Sequence, residues 1–251
     1  MPPSGLQIIS PHRDDAALSL GLAITGWLRG GLDLCIFNCF TRSSFVLDHD
    51  GRDIDRASKV RRREDEAFQA LLSPGLEMVD LGHTDYPDRT PATPKRMTVE
   101  DRPLDVDEER EADALAESLA PHLGPGPVLV PSCSGPHRDH LVSVHAVHRA
   151  WRGQAVVVYD DIPYTLDKGL DVAEGRARRF AELFGMVFEP VHLGSPVDLP
   201  LKRAGLEVYR SQLWPDLIER VVADSADRGE RVWCTRETRA LLGVASRDHP
   251  A

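Results

Sequence analysis

Two short clusters of histidine and aspartate have the residue types that bind a catalytic metal ion. The first, residues 11–15 (PHRDD), follows the apolar run 6–9 and precedes a helical pattern. The second, residues 137–140 (HRDH), follows the apolar run 128–130. Imidazole nitrogens and carboxylate oxygens are zinc ligands in proteins. The two clusters therefore indicate a metallohydrolase.

Residues from both clusters are needed to complete the expected metal site. His12, Asp15 and His140 would supply three ligands and leave one position for water, which is the usual arrangement of catalytic zinc. Adjacent residues in a turn project in different directions, so Asp14 would remain free to act as a general base on that water.

Other interpretations of the same residues stay open. Asp14 and Asp15 also suit the N-cap and first turn of the following helix, where carboxylates bind free amides and oppose the helix dipole. His137 and His140 could be surface loop residues or part of an early helical turn, and the downstream histidines 145 and 148 form a rival pair at helical spacing. The metal interpretation is preferred because two clusters occur, each at the end of an apolar run.

Composition places the chain among small-molecule enzymes. Its 251 residues are 41% hydrophobic, which suits one globular domain over residues 1–251. A net charge of -10 argues against binding to nucleic acid or to an anionic membrane. We expect a cytoplasmic protein, because no signal peptide and no membrane span is recognisable. Four cysteines without a paired motif should be reduced and packed in the core, including Cys133 near the second cluster.

The elements that must position the clusters alternate between strand and helix. Apolar runs at 6–9, 34–40, 78–81, 128–130 and 155–159 predict strands, and the periodic segments 16–29, 55–72, 107–123, 141–151, 173–184 and 201–224 predict helices. This order predicts an α/β fold with a doubly wound, mostly parallel sheet flanked by helices, as in Rossmann-like proteins. Both clusters would then lie at the carboxyl ends of strands. Residues 85–103 should form an exposed loop.

With these motifs in view, the chain resembles the LmbE-like, or PIG-L, family of zinc-dependent N-deacetylases over nearly its full length. The hallmark segments of that family resemble residues 11–16 (PHRDDA) and 137–140 (HRDH). Weaker similarities are residues 62–64, 81–85 (LGHTD), 159–164 (YDDIPY), Lys202 and 209–212 (YRSQ). Two positions depart from the family pattern, since Arg13 replaces a proline and Ala16 replaces a glutamate beside the metal-binding turn.

The resemblance implies a role for each residue of the two clusters. It implies one zinc ion per chain on His12, Asp15 and His140, and it implies that Asp14 is the general base. His137 would polarise the scissile carbonyl or its oxyanion, and Asp139 would orient His137 and favour its protonated form. Either Asp14 or His137 could protonate the leaving amine.

The resemblance also suggests which residues contact substrate. Asp85, Arg62 or its neighbour Arg63, Tyr164 and Gln212 occupy similar positions, although Tyr164 could equally be a packed aromatic residue. Arg13 could either favour a polar or anionic substrate group or point into solvent.

The expected activity is removal of an acetyl group from an N-acetyl amino sugar, of the N-acetylglucosamine type, in a small-molecule conjugate. Three alternatives remain: an amidase acting on a larger thiol-sugar conjugate, a dinuclear metallo-phosphoesterase, and a non-catalytic metal- or sugar-binding module. Trp214, Leu217 and Ile218 suit either core packing or the interface of a homo-oligomer.

Overall fold

The computed structural model describes residues 5–47, 53–90, 102–168 and 170–243. The strands are β1 (Leu6–Ser10), β2 (Leu34–Asn38), β3 (Leu76–Asp80), β4 (Val128–Pro131), β5 (Val156–Tyr159), β6 (Glu189–Leu193) and β7 (Glu230–Cys234). The helices are α1 (Asp15–Arg29), α2 (Ile54–Leu72), α3 (Tyr86–Arg89), α4 (Val106–Leu119), α5 (Arg138–Ala150), α6 (Tyr164–Lys168), α7 (Leu170–Leu183), α8 (Leu199–Val208), α9 (Pro215–Arg228) and α10 (Arg236–Leu241).

The strands form one sheet in the order β3-β2-β1-β4-β5-β7-β6. Strands β1 to β5 pair in parallel, and β7 runs antiparallel to both β5 and β6. The sheet is therefore mostly parallel and has helices on both faces, which confirms the predicted fold class.

Alternation along the buried strands divides the core between the two faces of the sheet. Ile8 and Leu129 belong to one hydrophobic cluster, with residues of α1, α8 and α9. Ile9 and Val130 belong to the other, with residues of α4, α5 and α7. Successive side chains of a strand point to opposite faces, so a run that is apolar throughout can fill both layers.

A buried ion pair joins α1, α8 and β7 on the first of these faces. Lys202 and Glu230 are in direct contact, and Lys202 Nζ also donates to the carbonyl oxygen of Leu18 at 3.0 Å. The carboxylate of Glu230 accepts hydrogen bonds from the amides of Leu22 and Ala23 at 2.9 and 2.7 Å. The ion pair thus hydrogen-bonds to the carbonyl of Leu18 and to the amide of Leu22, which lies four residues further along α1.

Two predicted elements differ from the structure, and two strands were not predicted. The predicted helix 201–224 is two helices, α8 and α9, because Pro215 opens α9 and proline disfavours helical backbone in the residue before it. Strands β6 and β7 were not predicted. The predicted loop 85–103 begins with buried Asp85 and the short helix α3, and its residues 91–101 lie outside the described residues.

The remaining structural expectations concern cysteines and apolar side chains. All four cysteines are buried and unpaired, as expected. Ile218 is buried and Leu217 packs against the core, whereas Trp214 is 59% exposed. Among the described residues, no helix has both the length and the apolar character that a membrane crossing requires.

Candidate metal centre and active site

The candidate site lies where neighbouring parallel strands end. The turn after β1 carries His12, the segment after β4 carries His137, and Asp161 follows β5. Because β1, β4 and β5 are adjacent in the sheet, their carboxyl ends bring these segments together. Asp85, which follows β3, reaches the same place from the other side.

His12, Asp15 and His140 converge as the clusters predicted, with ligand atoms within 4.8 Å of one another. Asp15 Oδ2 lies 3.3 Å from His12 Nδ1 and 3.4 Å from His140 Nε2. Zinc bonds of about 2.0–2.1 Å in a tetrahedron place two ligand atoms about 3.3 Å apart. His140 Nε2 is buried and has no hydrogen-bond partner. The donor set and its spacing therefore fit a zinc ion.

The opposite ring nitrogens of both histidines are held by carboxylates. His12 Nε2 lies 3.2 Å from Asp139 Oδ2, and His140 Nδ1 lies 3.0 Å from Asp161 Oδ2. Hydrogen bonds of this kind fix the tautomer and orientation of a metal-binding imidazole. They leave His12 Nδ1 and His140 Nε2 directed at Asp15.

Burial and neighbouring charged groups together set the pKa values of these three residues. Burial by itself lowers the pKa of His12, but hydrogen bonds to Asp139 and Asp15 raise that pKa well above its usual value. Burial also lowers the pKa of His140, and the charges of Asp161 and Asp15 raise it overall. Burial raises the pKa of Asp15, yet the His140 charge and the His12 hydrogen bond bring it far below its usual range. The cluster strongly attracts positive charge.

Asp14 is in the N-cap position of α1, but its side chain makes no capping hydrogen bond. Its carboxylate is partly exposed and lies 3.8 Å from Arg61 Nη2. Burial raises the pKa of Asp14, the charge of Asp15 raises it further, and Arg61 opposes the shift. A carboxylate that is not used as a helix cap and has a raised pKa is suited to accept a proton.

His137 differs from the expectation that Asp139 favours its protonated form. Burial and the neighbouring His12 lower the pKa of His137 to about 3, although the charge of Asp139 opposes this shift. Asp139 instead binds His12 and forms a 2.6 Å ion pair with Arg89. The backbone amide of Asp139 donates to His137 Nδ1 at 3.4 Å. The neutral ring therefore carries its proton on Nε2.

Two of the predicted substrate residues, Asp85 and Tyr164, lie beside the histidines of the candidate site. Asp85 is buried in the site, with Oδ1 3.5 Å from His137 Nε2 and Oδ2 accepting from Ser43 Oγ at 2.7 Å. The ring of Tyr164 stands edge-on to His140, with the ring centroids 5.9 Å apart. That ring packs directly over Gly135, where a Cβ atom would lie 2.2 Å from it.

Arg13 and Arg62 lie elsewhere, so the structure does not support substrate contact for either. Arg13 is fully buried, and its guanidinium pairs with Asp65 and with Asp80, the latter at 2.6 and 3.0 Å. It neither faces substrate nor points into solvent. Arg62 is largely exposed, with Nε 3.5 Å from Asp80.

Arg61, the residue before Arg62, lies at the candidate site, with Nη2 3.8 Å from Asp14. It is 3% exposed and lies on the same face of α2 as buried Ala57 and Asp65, four residues away on either side. Its Nε donates to Gln212 Oε1 at 2.7 Å. Gln212 is itself buried and donates to Glu64, so it positions Arg61 rather than presenting its amide to a ligand.

Asp161 is the second residue that the sequence analysis missed. It is fully buried and holds His140. The signal was present, since Asp160 and Asp161 directly follow the apolar run of β5, at the same edge of the sheet as the other clusters. For Arg61 the signal was helical periodicity, which places Arg61, and not Arg62, on the buried face of α2.

A family model matches more than half of the chain. The family model of PIG-L, the GlcNAc-PI de-N-acetylases, matches residues 7–151, which contain both clusters. No curated protein sequence matches the chain significantly.

Several solved structures have a similar fold. The A40926 pseudoaglycone deacetylase is 20% identical, with a TM-score of 0.64, and the match covers 92% of this chain and 96% of that one. The zinc-inhibited form of a teicoplanin deacetylase is 20% identical over 97% and 99% of the two chains, with a TM-score of 0.58. A 4-carboxy-2-hydroxymuconate hydratase from Pseudomonas putida is 15% identical over 98% and 92%, also with a TM-score of 0.58.

At these identities the solved structures show a shared fold and nothing more, and one of them is a hydratase. The family model is different, because it matches more than half of the chain and spans both clusters of histidine and aspartate. The chain belongs to the PIG-L, or LmbE-like, family.

Proposed function

We propose that the protein is a zinc-dependent N-deacetylase that removes acetate from an N-acetyl amino sugar of the N-acetylglucosamine type in a small-molecule conjugate. The observation that carries this proposal is the unpaired, buried Nε2 of His140, facing Asp15 at 3.4 Å with His12 Nδ1 beside it. The family model adds the substrate class, since it describes GlcNAc-PI de-N-acetylases. The two deacetylases of similar fold are consistent with it.

The metal and the protein have separate tasks in this proposal. A zinc ion on His12, Asp15 and His140 would act as a Lewis acid toward water and toward the acetamide carbonyl. Asp14 takes the proton of the attacking water, and its raised pKa makes it a stronger base than an ordinary aspartate. His137 donates from Nε2 to the carbonyl oxygen as negative charge develops there.

We infer that Asp14, and not His137, protonates the leaving amine. His137 has a pKa lowered to about 3, so it is neutral near pH 7 and a poor source of a proton. Asp14 has collected a proton in the preceding step and can return it to the departing nitrogen. Arg61, 3.8 Å from Asp14, keeps the carboxylate in place between the two transfers.

The test is incubation of zinc-loaded protein with a panel of N-acetylated sugars and their conjugates. We expect acetate and primary amine in equal amounts, loss of turnover after chelation, and recovery with one zinc per chain. Zinc must be added stepwise, since a deacetylase of similar fold exists in a zinc-inhibited form.

The products decide between the alternatives. Release of a larger acyl group from a thiol conjugate would favour the amidase, and release of phosphate from esters with two tightly bound ions would favour the phosphoesterase. Hydration of an unsaturated acid would favour the reaction of the similar hydratase. Turnover of none of the acetylated amines by the zinc-loaded protein would contradict the proposal.

A further inference from the structure

The His12 ring separates two groups of potential metal ligands. On its Nδ1 side lie Asp15 and His140, the zinc site proposed above. On its Nε2 side lie Asp85, His137 and Asp139, whose ligand atoms also fall within 4.8 Å of one another and of His12. The second group is not needed to hold the first ion.

Asp85 has an oxygen that no group among the described residues binds by a hydrogen bond. The residue is 5% exposed, and its Oδ1 is buried without a hydrogen-bond partner. Ser43 holds the other oxygen at 2.7 Å, so Oδ1 is aimed at His137 Nε2 and at His12 Nε2, which is 3.9 Å away. A buried carboxylate oxygen without a partner is costly unless a ligand or cation completes it.

The charge of the cluster exceeds what one divalent ion neutralises. Within residues 5–47, 53–90, 102–168 and 170–243, two guanidinium groups face it, from Arg61 beside Asp14 and from Arg89 beside Asp139. The carboxylates are those of Asp14, Asp15, Asp85, Asp139 and Asp161. With these groups ionised and the imidazoles neutral, three negative charges remain, so a single zinc ion leaves the site negative. A second cation is electrostatically favoured.

We propose that His137 Nε2 and Asp85 Oδ1 form a second, weaker divalent-cation site beside the first, and that a cation bound there inhibits the enzyme. The 3.5 Å between these atoms is close to the separation of about 3.3 Å expected for two ligands of a tetrahedral zinc ion. His137 is 14% exposed, which leaves room for water on the remaining positions.

The other members of the group support this ion without binding it. When the first ion is on His12 Nδ1, His12 carries its proton on Nε2 and donates to Asp139 Oδ2. Metal binding to His137 Nε2 moves the ring proton to Nδ1, which lies 3.5 Å from the same oxygen. Asp139 then accepts from two imidazoles while Arg89 neutralises its other oxygen. Two protein ligands bind more weakly than three.

Inhibition follows because the second cation occupies the groups that the reaction requires. His137 loses the Nε2 proton with which it would stabilise the oxyanion, and Asp85 is withdrawn from substrate. This consequence rests on the proposed deacetylase function, whereas the cation site itself does not.

The test is a zinc titration of the chelator-stripped full chain by calorimetry, with metal analysis of each state. We expect two binding events per chain, the second at least tenfold weaker, and a fall in deacetylase turnover that follows the second event. Asp85→Asn should abolish the second event and retain the first. Its residual turnover should be insensitive to excess zinc.

Asp88→Asn is the matched control, because Asp88 lies on the same short helix but its carboxylate binds Ser44 instead of facing the cluster. It should keep both events. A single event in the wild type, or two events in Asp85→Asn, would overturn the proposal. If no acetylated substrate is turned over, the proposed function fails, while the binding stoichiometry still decides whether the second site exists.

Discussion

Two buried clusters of charge in this protein behave differently. Lys202 and Glu230 satisfy each other and the backbone of α1, so neither has an unpaired atom. At the strand ends, His140 Nε2 and Asp85 Oδ1 are buried without partners. We call the first cluster closed, because its charges are satisfied among the described residues, and the second open, because these two atoms are not.

Lys202→Met should give the largest effect on stability. Removing the ammonium leaves the carboxylate of Glu230 buried and uncompensated, so the free energy of unfolding should fall by about 3–5 kcal/mol. The zinc affinity of the folded protein should stay within about twofold of the wild type. Denaturant unfolding and zinc titration measure the two quantities.

The matched control is Arg203→Met on the same helix. Arg203 pairs with Glu219 on the surface, and this variant should unfold like the wild type. If Lys202→Met weakened zinc binding in proportion to its loss of stability, the buried ion pair and the candidate metal site would be energetically coupled. The two clusters could then not be treated as independent.

Asp14→Asn should show the opposite pattern. The zinc content and the midpoint of unfolding should remain near those of the wild type, while kcat should fall by about 10²–10⁴-fold because a positioned base is lost. Turnover is measured with one zinc per chain, verified by metal analysis. Wild-type kcat in a zinc-loaded sample would show that another group accepts the proton.

Asp161→Asn tests whether the carboxylate that binds His140 Nδ1 contributes to zinc affinity. The amide cannot orient His140 Nδ1–H as the carboxylate does, so zinc affinity should weaken by about 10–100-fold. Competition with a chelator of known affinity measures this change. Asp160→Asn is the control, since Asp160 faces Arg231. Equal zinc affinity in the two variants would exclude a positioning role for Asp161.

The smallest effect is expected at Glu108, which belongs to a third, closed cluster. Burial raises the pKa of Glu108, but hydrogen bonds from Arg138 and Arg102 outweigh this and lower it to about 2. Because the folded pKa is below the unfolded value of about 4.3, the stabilisation is present above that value and is lost as pH falls toward 2.

Glu108→Gln should therefore cost about 1 kcal/mol at pH 7 and almost nothing near pH 2. Thermal unfolding of chelated protein at both pH values measures this difference. An unchanged cost at the lower pH would mean that packing, not charge, stabilises this position.

The fold was largely predictable from the sequence, because five strands are continuous apolar runs separated by helical periodicity. Strands β6 and β7 were missed since they contain charged and polar residues, and Glu189 and Pro190 are exposed at the edge. The order of the strands also follows from tertiary packing, since β7 enters between β5 and β6.

The site was predictable to the level of its two motifs. That His12, Asp15 and His140 meet follows from strand ends that share one edge of a sheet. The buried ion pairs of Arg13 could not be predicted, because its partners Asp65 and Asp80 lie on α2 and β3, far along the chain. Local spacing carries no information about such contacts.

The three candidate zinc ligands come from stretches of chain that are distant in sequence, which has a practical consequence. An ion bound there would be a removable cross-link between the segments that follow β1 and β4, and it would stabilise only the folded state. At a free zinc concentration 100-fold above Kd, this linkage amounts to about 2.7 kcal/mol. A melting curve with and without the ion would therefore rank metals and ligand variants before any substrate is known.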